Sequence, residues 1–179
     1  GQAHCWGVRY SLGNGATTNA TSPVRVDADG VLAGKTLTDI TMGNFTACAL
    51  DTAGRAYCWG INGGGQLGTG DTTEAPLPRA VDTSGVLNTV ILTEIDSGGG
   101  HTCAVDQKDH AFCWGYNYFG QLGDGTTTNA LTAVQVDHSV AEQLISITAG
   151  GSHTCAVGPS GEAYCWGYGY YGQLGRGST

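Results

Sequence analysis

Seven cysteines and four tryptophans recur along this chain at regular spacing. The tripeptide Cys-Trp-Gly occurs four times at steps of 53, 55 and 52 residues, and a second cysteine lies ten residues before each of the last three copies. The seven cysteines are Cys5, Cys48, Cys58, Cys103, Cys113, Cys155 and Cys165. Thiols at repeated positions can form disulfides, bind a metal or stay reduced in a core.

The ten-residue spacing is compatible with a cysteine pair facing across an antiparallel hairpin. If Cys48 lies opposite Cys58, a three-residue loop ending at Gly54 joins the strands, and Asp109 and Gly161 hold that loop position in the next copies. Such loops need a left-handed third residue, which glycine adopts freely and aspartate tolerates. Facing Cβ atoms on adjacent strands lie within disulfide reach. We therefore predict the disulfides Cys48–Cys58, Cys103–Cys113 and Cys155–Cys165, with Cys5 unpaired or intermolecular.

Buried free thiols and a metal site are the alternatives to disulfides. His101-x-Cys103 and His153-x-Cys155 offer mixed metal ligands, but no Cys-x-x-Cys occurs, and the copy around Cys48 lacks the histidine. Oxidised pairs persist outside the reducing cytosol, so we expect a secreted protein, extracellular or at the cell surface. We expect no metal and no cofactor.

The two recurring histidines could also act as catalytic bases. No acidic partner recurs with them, and no nucleophile–base or carboxylate pair stands out elsewhere in the sequence. We therefore expect His101 and His153 each to make a structural hydrogen bond within its own repeat, and we expect no enzymatic activity.

The segments between the cysteines read as short strands separated by tight turns. Glycine supplies 31 of the 179 residues while hydrophobic residues reach 40%, which indicates many turns around a real core. Alternating segments such as Leu37–Ile40 and Ala133–Val136 accompany each cysteine hairpin, and no ten-residue helical pattern occurs. Four short antiparallel strands per period predict an all-β chain of propeller blades.

The acidic balance of the chain excludes several kinds of partner. Seven basic residues against fifteen acidic ones give a formal charge of −8, so no basic face is available for nucleic acid or for an anionic lipid surface. No apolar run approaches the roughly 20 residues of a membrane span, so we expect no membrane insertion.

The repeated motif also carries a family resemblance. The segment Trp59–Gly68 reads Trp-Gly-Ile-Asn-Gly-Gly-Gly-Gln-Leu-Gly, and later copies continue into His-Thr-Cys-Ala. This pattern resembles the RCC1 (regulator of chromosome condensation) repeat, in a secreted bacterial type. The resemblance implies a β-propeller that normally closes with seven blades, and a family that mostly binds other proteins. About three and a third repeats, approximately 1–53, 54–108, 109–160 and a partial 161–179, would form an incomplete or open ring.

Aromatic residues crowd the same loop in two of the copies. The residues concerned are Tyr116, Tyr118, Phe119, Tyr168, Tyr170 and Tyr171. Aromatic side chains on a loop often form a binding or subunit contact, and packing between blades is the alternative. We retain them as possible interface residues.

Together these patterns predict a non-enzymatic extracellular scaffold. It would act through blade-to-blade self-assembly, head to tail or in a ring, or through binding other proteins, as a filament subunit or as part of a longer repeat protein. The alternatives are a regulatory propeller of the guanine-nucleotide-exchange type and a non-catalytic module of a secreted hydrolase. Asn19 and Asn44 begin N-glycosylation sequons, which also arise by chance in threonine-rich chains.

Overall fold

A computed structural model describes residues 1–137, 139 and 143–177. The described chain is all-β, with thirteen short strands, and its one helix is the three-residue 3-10 turn Arg9–Ser11. The predicted fold class, antiparallel propeller blades in an incomplete ring, is confirmed.

The strands form four antiparallel sheets, which we call blades 1 to 4. Blade 1 contains β1 (His4–Gly7) and β2 (Ala20–Arg25). Blade 2 contains β3 (Leu37–Met42), β4 (Thr46–Asp51), β5 (Ala56–Gly60) and β6 (Ala75–Ala80). Blade 3 contains β7 (Leu92–Ser97), β8 (His101–Asp106), β9 (Ala111–Gly115) and β10 (Ala130–Gln135). Blade 4 contains β11 (Ser146–Ala149), β12 (His153–Val157) and β13 (Ala163–Gly167).

The blades share the period of the sequence repeat but start at a different point within it. Blade 2 begins at Leu37 and blade 3 at Leu92. The approximate repeat 54–108 instead begins in the turn between β4 and β5. One sheet therefore combines the end of one such repeat with the start of the next.

The hairpin between the second and third strand is the same in blades 2, 3 and 4. Cys48 pairs with Cys58 on the neighbouring strand, and the corresponding pairs in the other blades have the same register. The loop residues Gly54, Asp109 and Gly161 have φ values of 70°, 65° and 89°. The left-handed residue at the third loop position is thus the feature that lets three residues close each hairpin.

The core lies between neighbouring sheets. In the junction of blades 2 and 3, Leu50 and Leu67 of blade 2 pack in one cluster with Ile95, Phe112 and Trp114 of blade 3. Because each sheet buries a face against the next, a blade is stabilised mainly by its neighbours.

Candidate functional site

The three predicted cysteine pairs are joined as disulfides, each inside one blade. Cys48 is bonded to Cys58, and Cys103–Cys113 and Cys155–Cys165 follow the same plan, with Cα atoms 4.1 Å apart in each pair. Cys5, on β1, is a buried free thiol, and burial raises its pKa. The bridges link the second and third strands of blades 2, 3 and 4, and they leave the loops at both ends of these blades free of cross-links.

An aspartate at the end of β4 and β8 caps the hairpin that the disulfide spans. The Asp51 carboxylate accepts the backbone N–H groups of Ala53 and Arg55 at 2.9 and 3.0 Å, as Asp106 does in blade 3. Burial alone would raise the pKa of Asp51, but these bonds and the Tyr57 hydroxyl lower it. Burial and the Asp51 carboxylate raise the pKa of Tyr57 to about 12. The sequence signal for this cap is an aspartate three residues after the cysteine in two copies, which our sequence analysis missed.

Each of the last three tryptophans of the Cys-Trp-Gly motif bonds to the preceding repeat, a contact that we call the tryptophan latch. The Nε1–H groups of Trp59, Trp114 and Trp166 donate to the backbone carbonyls of Ser11, Gln66 and Gln121 at 2.9, 3.0 and 3.0 Å. Ser11 provides the acceptor carbonyl in the first junction, although the loop of the first copy is two residues shorter than the loops of the later copies. The recurring tryptophan and the loop of the preceding copy are therefore two halves of one contact between blades.

A threonine hydroxyl shares the same carbonyl in the two later junctions. Thr102 donates to the Gln66 carbonyl at 3.0 Å, and Thr154 donates to the Gln121 carbonyl at 2.7 Å. The Thr154 oxygen lies 2.8 Å from Nε2 of His101. Since Thr154 donates to the carbonyl, His101 acts as the donor through Nε2–H.

This geometry corrects the expected role of His101. His101 bonds across the junction to blade 4 and not within its own repeat, and it is only 1% exposed. Burial, with a smaller contribution from His153, lowers the pKa of His101 to about 4. Its Nδ1 has no hydrogen-bond partner among the residues that the structure describes. A neutral, enclosed imidazole of this kind stabilises a junction and is not placed to exchange protons with a substrate.

The six loop aromatics come together as one surface, which we call the aromatic face. Five of the rings form a chain of contacts from blade 3 to blade 4, with Phe119 and Tyr168 centroids 4.5 Å apart across the junction and Tyr168 and Tyr170 6.4 Å apart. The sixth, Tyr116, lines a cleft beside Tyr118 and Phe119. Tyr118 and Tyr171 are 76% and 80% exposed. The aromatic face therefore contains rings that pack across the junction between blades and rings that remain exposed to solvent.

The loops that carry the aromatic face are held in shape by their own side chains. The Gln121 side-chain oxygen accepts the N–H of Phe119 at 2.9 Å, and Gln173 does the same for Tyr171 at 2.8 Å. Asn117 is fully buried, and its side-chain oxygen accepts the N–H of Leu122 at 2.9 Å. The Asn and Gln of the repeat motif thus preorganise the loop that displays the aromatic rings.

Metal-ligating residues do not cluster in the described part of the chain. No group of three or more His, Cys, Asp or Glu residues there could hold a metal ion. Among the described residues, no helix is long and apolar enough to span a bilayer.

Comparison with known proteins agrees with this architecture. The family model described as the regulator of chromosome condensation (RCC1) repeat matches residues 53–105 and 108–157, and a second model of that description matches 37–66 and 144–173. The ultraviolet-B receptor UVR8 of Arabidopsis thaliana is 31% identical over 172 residues, which cover 96% of this chain and 38% of the receptor.

Two solved structures share the fold over nearly the whole chain. Human WBSCR16 superposes with a TM-score of 0.82 at 26% identity, covering 99% of this chain and 46% of that one. Yeast RCC1 (Prp20), solved with Kap60 bound to it, gives a TM-score of 0.80 at 19% identity, covering 98% and 42%. The chain thus spans less than half the length of each of these proteins.

Proposed function

Because this chain belongs to the RCC1 repeat family, we propose that it is a non-enzymatic, exported scaffold that acts by binding proteins through the surfaces of its blades. The observation that carries the proposal is the aromatic face. Exposed tyrosines fixed on rigid loops provide large contact area at low entropic cost, and aromatic residues are enriched at the centres of protein interfaces.

The disulfides support an exported location. Three bridges, one in each of blades 2, 3 and 4, are typical of proteins that fold in an oxidising compartment. The same bridges argue against the exchange-factor alternative, because the small GTPases on which such factors act are intracellular.

The latch supports blade-to-blade association as a second working surface. Trp6, on β1 of blade 1, occupies the tryptophan position of the motif but is 60% exposed. In blade 4, residues 172–175 repeat the loop whose carbonyl receives a tryptophan in the other junctions. A further blade, from a longer chain or from a second copy, would supply either an acceptor loop for Trp6 or a tryptophan for the loop 172–175. The contact would be the tryptophan–carbonyl bond that the three internal junctions already form.

Yeast RCC1 has been seen bound to another protein, Kap60, and binding of that general kind is what we propose for this chain.

The surroundings of His101 support the proposed absence of catalysis. A histidine that is buried, neutral and engaged between blades supplies no general base in a cleft.

Cross-linked capture from the extracellular fraction of cells that produce the protein tests this function. We expect specific proteins, or further copies of the chain, to be recovered with the wild type and at least about tenfold less with the combined substitution Tyr118→Ser, Tyr170→Ser and Tyr171→Ser. The matched control replaces three exposed apolar residues outside the aromatic face, Val31→Ser, Val86→Ser and Ile91→Ser. Equal recovery with all three proteins would contradict the proposal.

A further inference from the structure

A narrow cleft of about 200 Å³ opens on the aromatic face between blades 3 and 4. Backbone of Gly99, Gly100 and Gly151 contributes one part of its lining, and the rings of Tyr116, Tyr118 and Phe119 contribute another. A side chain at Gly99 would collide with the Gly151 carbonyl, and one at Gly100 would collide with the Tyr116 ring. Close packing therefore requires glycine at positions 99 and 100, and the aromatic rings form the walls of the cleft.

The cleft is electrically neutral. Apart from the tyrosines, no ionisable residue lines it within the described part of the chain. The protein as a whole carries a formal charge of −8. An acidic ligand would meet a repulsive field, and a ligand that depends on ion pairs would find no partner in the cleft.

Near the cleft, the Asn117 side chain and the Gln121 side-chain oxygen are already engaged within the protein. The Gln121 side-chain oxygen accepts the Phe119 N–H at 2.9 Å. The buried Asn117 donates its amide to Asp124 at 3.0 Å and to the Thr126 carbonyl at 3.1 Å. A glycan needs many side-chain groups that can bond to its hydroxyls. The described lining of the cleft adds to the aromatic rings and tyrosine hydroxyls one serine hydroxyl, of Ser152, and one amide, of Gln121.

We propose that this cleft binds a proline-rich peptide segment in the polyproline II conformation. Such a segment presents apolar pyrrolidine rings to an aromatic groove and has no internal hydrogen bonds, so its carbonyls can accept from tyrosine hydroxyls. It is already ordered before binding, which suits a preorganised cleft with no charged anchor. The inference rests on the proposed function and names the chemical class of its partner.

Fluorescence anisotropy with labelled decaproline tests the inference, with a labelled glycine–serine decamer as the reference peptide. Decaproline should bind the oxidised protein at least about tenfold more tightly than the reference. Tyr118→Ala should weaken decaproline binding by at least about fivefold, as truncation of a central aromatic contact does. Tyr118→Phe, which removes only the hydroxyl, should have a smaller effect. Phe45→Ala, at an exposed aromatic outside the cleft, should bind decaproline like the wild type.

Several outcomes would overturn the inference. They are equal binding of the two peptides, decaproline binding unaffected by Tyr118→Ala, displacement of decaproline by cellohexaose or chitohexaose, and self-association that Tyr118→Ala abolishes. The last two would identify a glycan or a second copy as the occupant. If decaproline fails while captured partners still depend on the aromatic face, the ligand class is wrong and the proposed function stands.

Discussion

At the scale of single residues, one backbone carbonyl carries much of the polar contact at each later junction. The Gln66 carbonyl accepts both the Trp114 indole and the Thr102 hydroxyl, and the Gln121 carbonyl is shared in the same way by Trp166 and Thr154. A carbonyl oxygen has two lone pairs, so both are used. Since these atoms are buried, removing one donor also removes a bond that water cannot easily replace.

Trp114→Phe isolates the hydrogen bond of the latch. Phenylalanine keeps much of the buried ring but leaves one lone pair of the Gln66 carbonyl unused, so we expect the free energy of unfolding to fall by about 2 to 4 kcal/mol. Urea denaturation measures it. Trp6→Phe is the matched control and should change stability by less than about 0.5 kcal/mol, because that ring is mostly exposed. Equal losses in the two variants would show that the latch bond is unimportant.

His101 makes the junction sensitive to acid. Its pKa falls from 6.5 to about 4 on folding, chiefly through burial, so below pH 6.5 the unfolded chain binds a proton that the folded chain refuses. The contribution of neutral His101 to the free energy of unfolding is therefore fully present above about pH 6.5. It decreases as the pH falls toward 4, by up to about 1.4 kcal/mol per pH unit.

His101→Gln provides the comparison for this pH dependence. Glutamine keeps a neutral donor but does not titrate, and the carboxylates common to both proteins cancel in the difference. The free energy of unfolding of the wild type minus that of the variant should decrease between pH 6.5 and 4. A difference that does not change with pH would contradict the assignment.

At the scale of elements, the loop after each Cys-Trp-Gly strand determines how closely two blades approach. Gly68 has φ +67°, and a Cβ there would lie 2.8 Å from Nε1 of Trp114; Gly123 has the same relation to Trp166, at 2.6 Å. The final glycine of the Gly-Gln-Leu-Gly motif is thus needed for its backbone conformation and also for the space that the next tryptophan fills.

Gly68→Ala and Gly125→Ala separate these two requirements. Gly125 has φ +77° but nothing within 4 Å of its Cβ position, so its substitution should cost about 1 kcal/mol of unfolding free energy from backbone strain alone. Gly68→Ala adds a collision with a buried ring and should cost about 3 kcal/mol. Thermal and urea denaturation of both variants test this, and a Gly68→Ala protein as stable as Gly125→Ala would refute the steric account.

Much of each element could be predicted from sequence, and the contacts between elements could not. The ten-residue cysteine spacing and the loop residue at Gly54 are local signals, and together they indicate one hairpin register. The Trp114 latch joins residues 48 positions apart, and the His101 bond joins residues 53 apart. No local pattern encodes which carbonyl or hydroxyl a side chain contacts across a junction. For this reason the sequence predicts the hydrogen-bond partner of His101 in its own blade, whereas the partner lies in the next blade.

At the scale of the whole molecule, a chain of blades presents the same contact surfaces repeatedly. Blade 1 displays an exposed Trp6, and blade 4 displays the loop 172–175, the two parts that are joined in the internal junctions. Repeat arrays of this kind extend by adding units at their edges.

Sedimentation velocity tests association through these edges. The oxidised chain should shift from monomer to larger species as its concentration rises toward ~100 µM, and Trp6→Ser should weaken the association at least about tenfold, equivalent to about 1.4 kcal/mol. Val86→Ser, at another exposed apolar position, should leave it unchanged. A wild type that stays monomeric over the whole range would rule out self-assembly through Trp6.

We propose that the whole molecule works as an oxidised scaffold outside the reducing cytosol. Six cysteines are paired within blades 2, 3 and 4, and Cys5 is buried in blade 1. Each bridge closes a loop of about ten residues, so the loss of any one bridge should lower the free energy of unfolding by about 2 to 3 kcal/mol. Such a protein would persist best where thiols are not reduced.

Thiol counting by intact mass after alkylation, on protein recovered from the extracellular fraction without reductant, tests this claim most directly. We predict no modified cysteine in the folded protein, one after unfolding, and seven after unfolding with reduction, with peptide mapping placing the single early label on Cys5. Recovery of the protein only from inside the cell, with seven cysteines labelled on unfolding without reductant, would contradict the account.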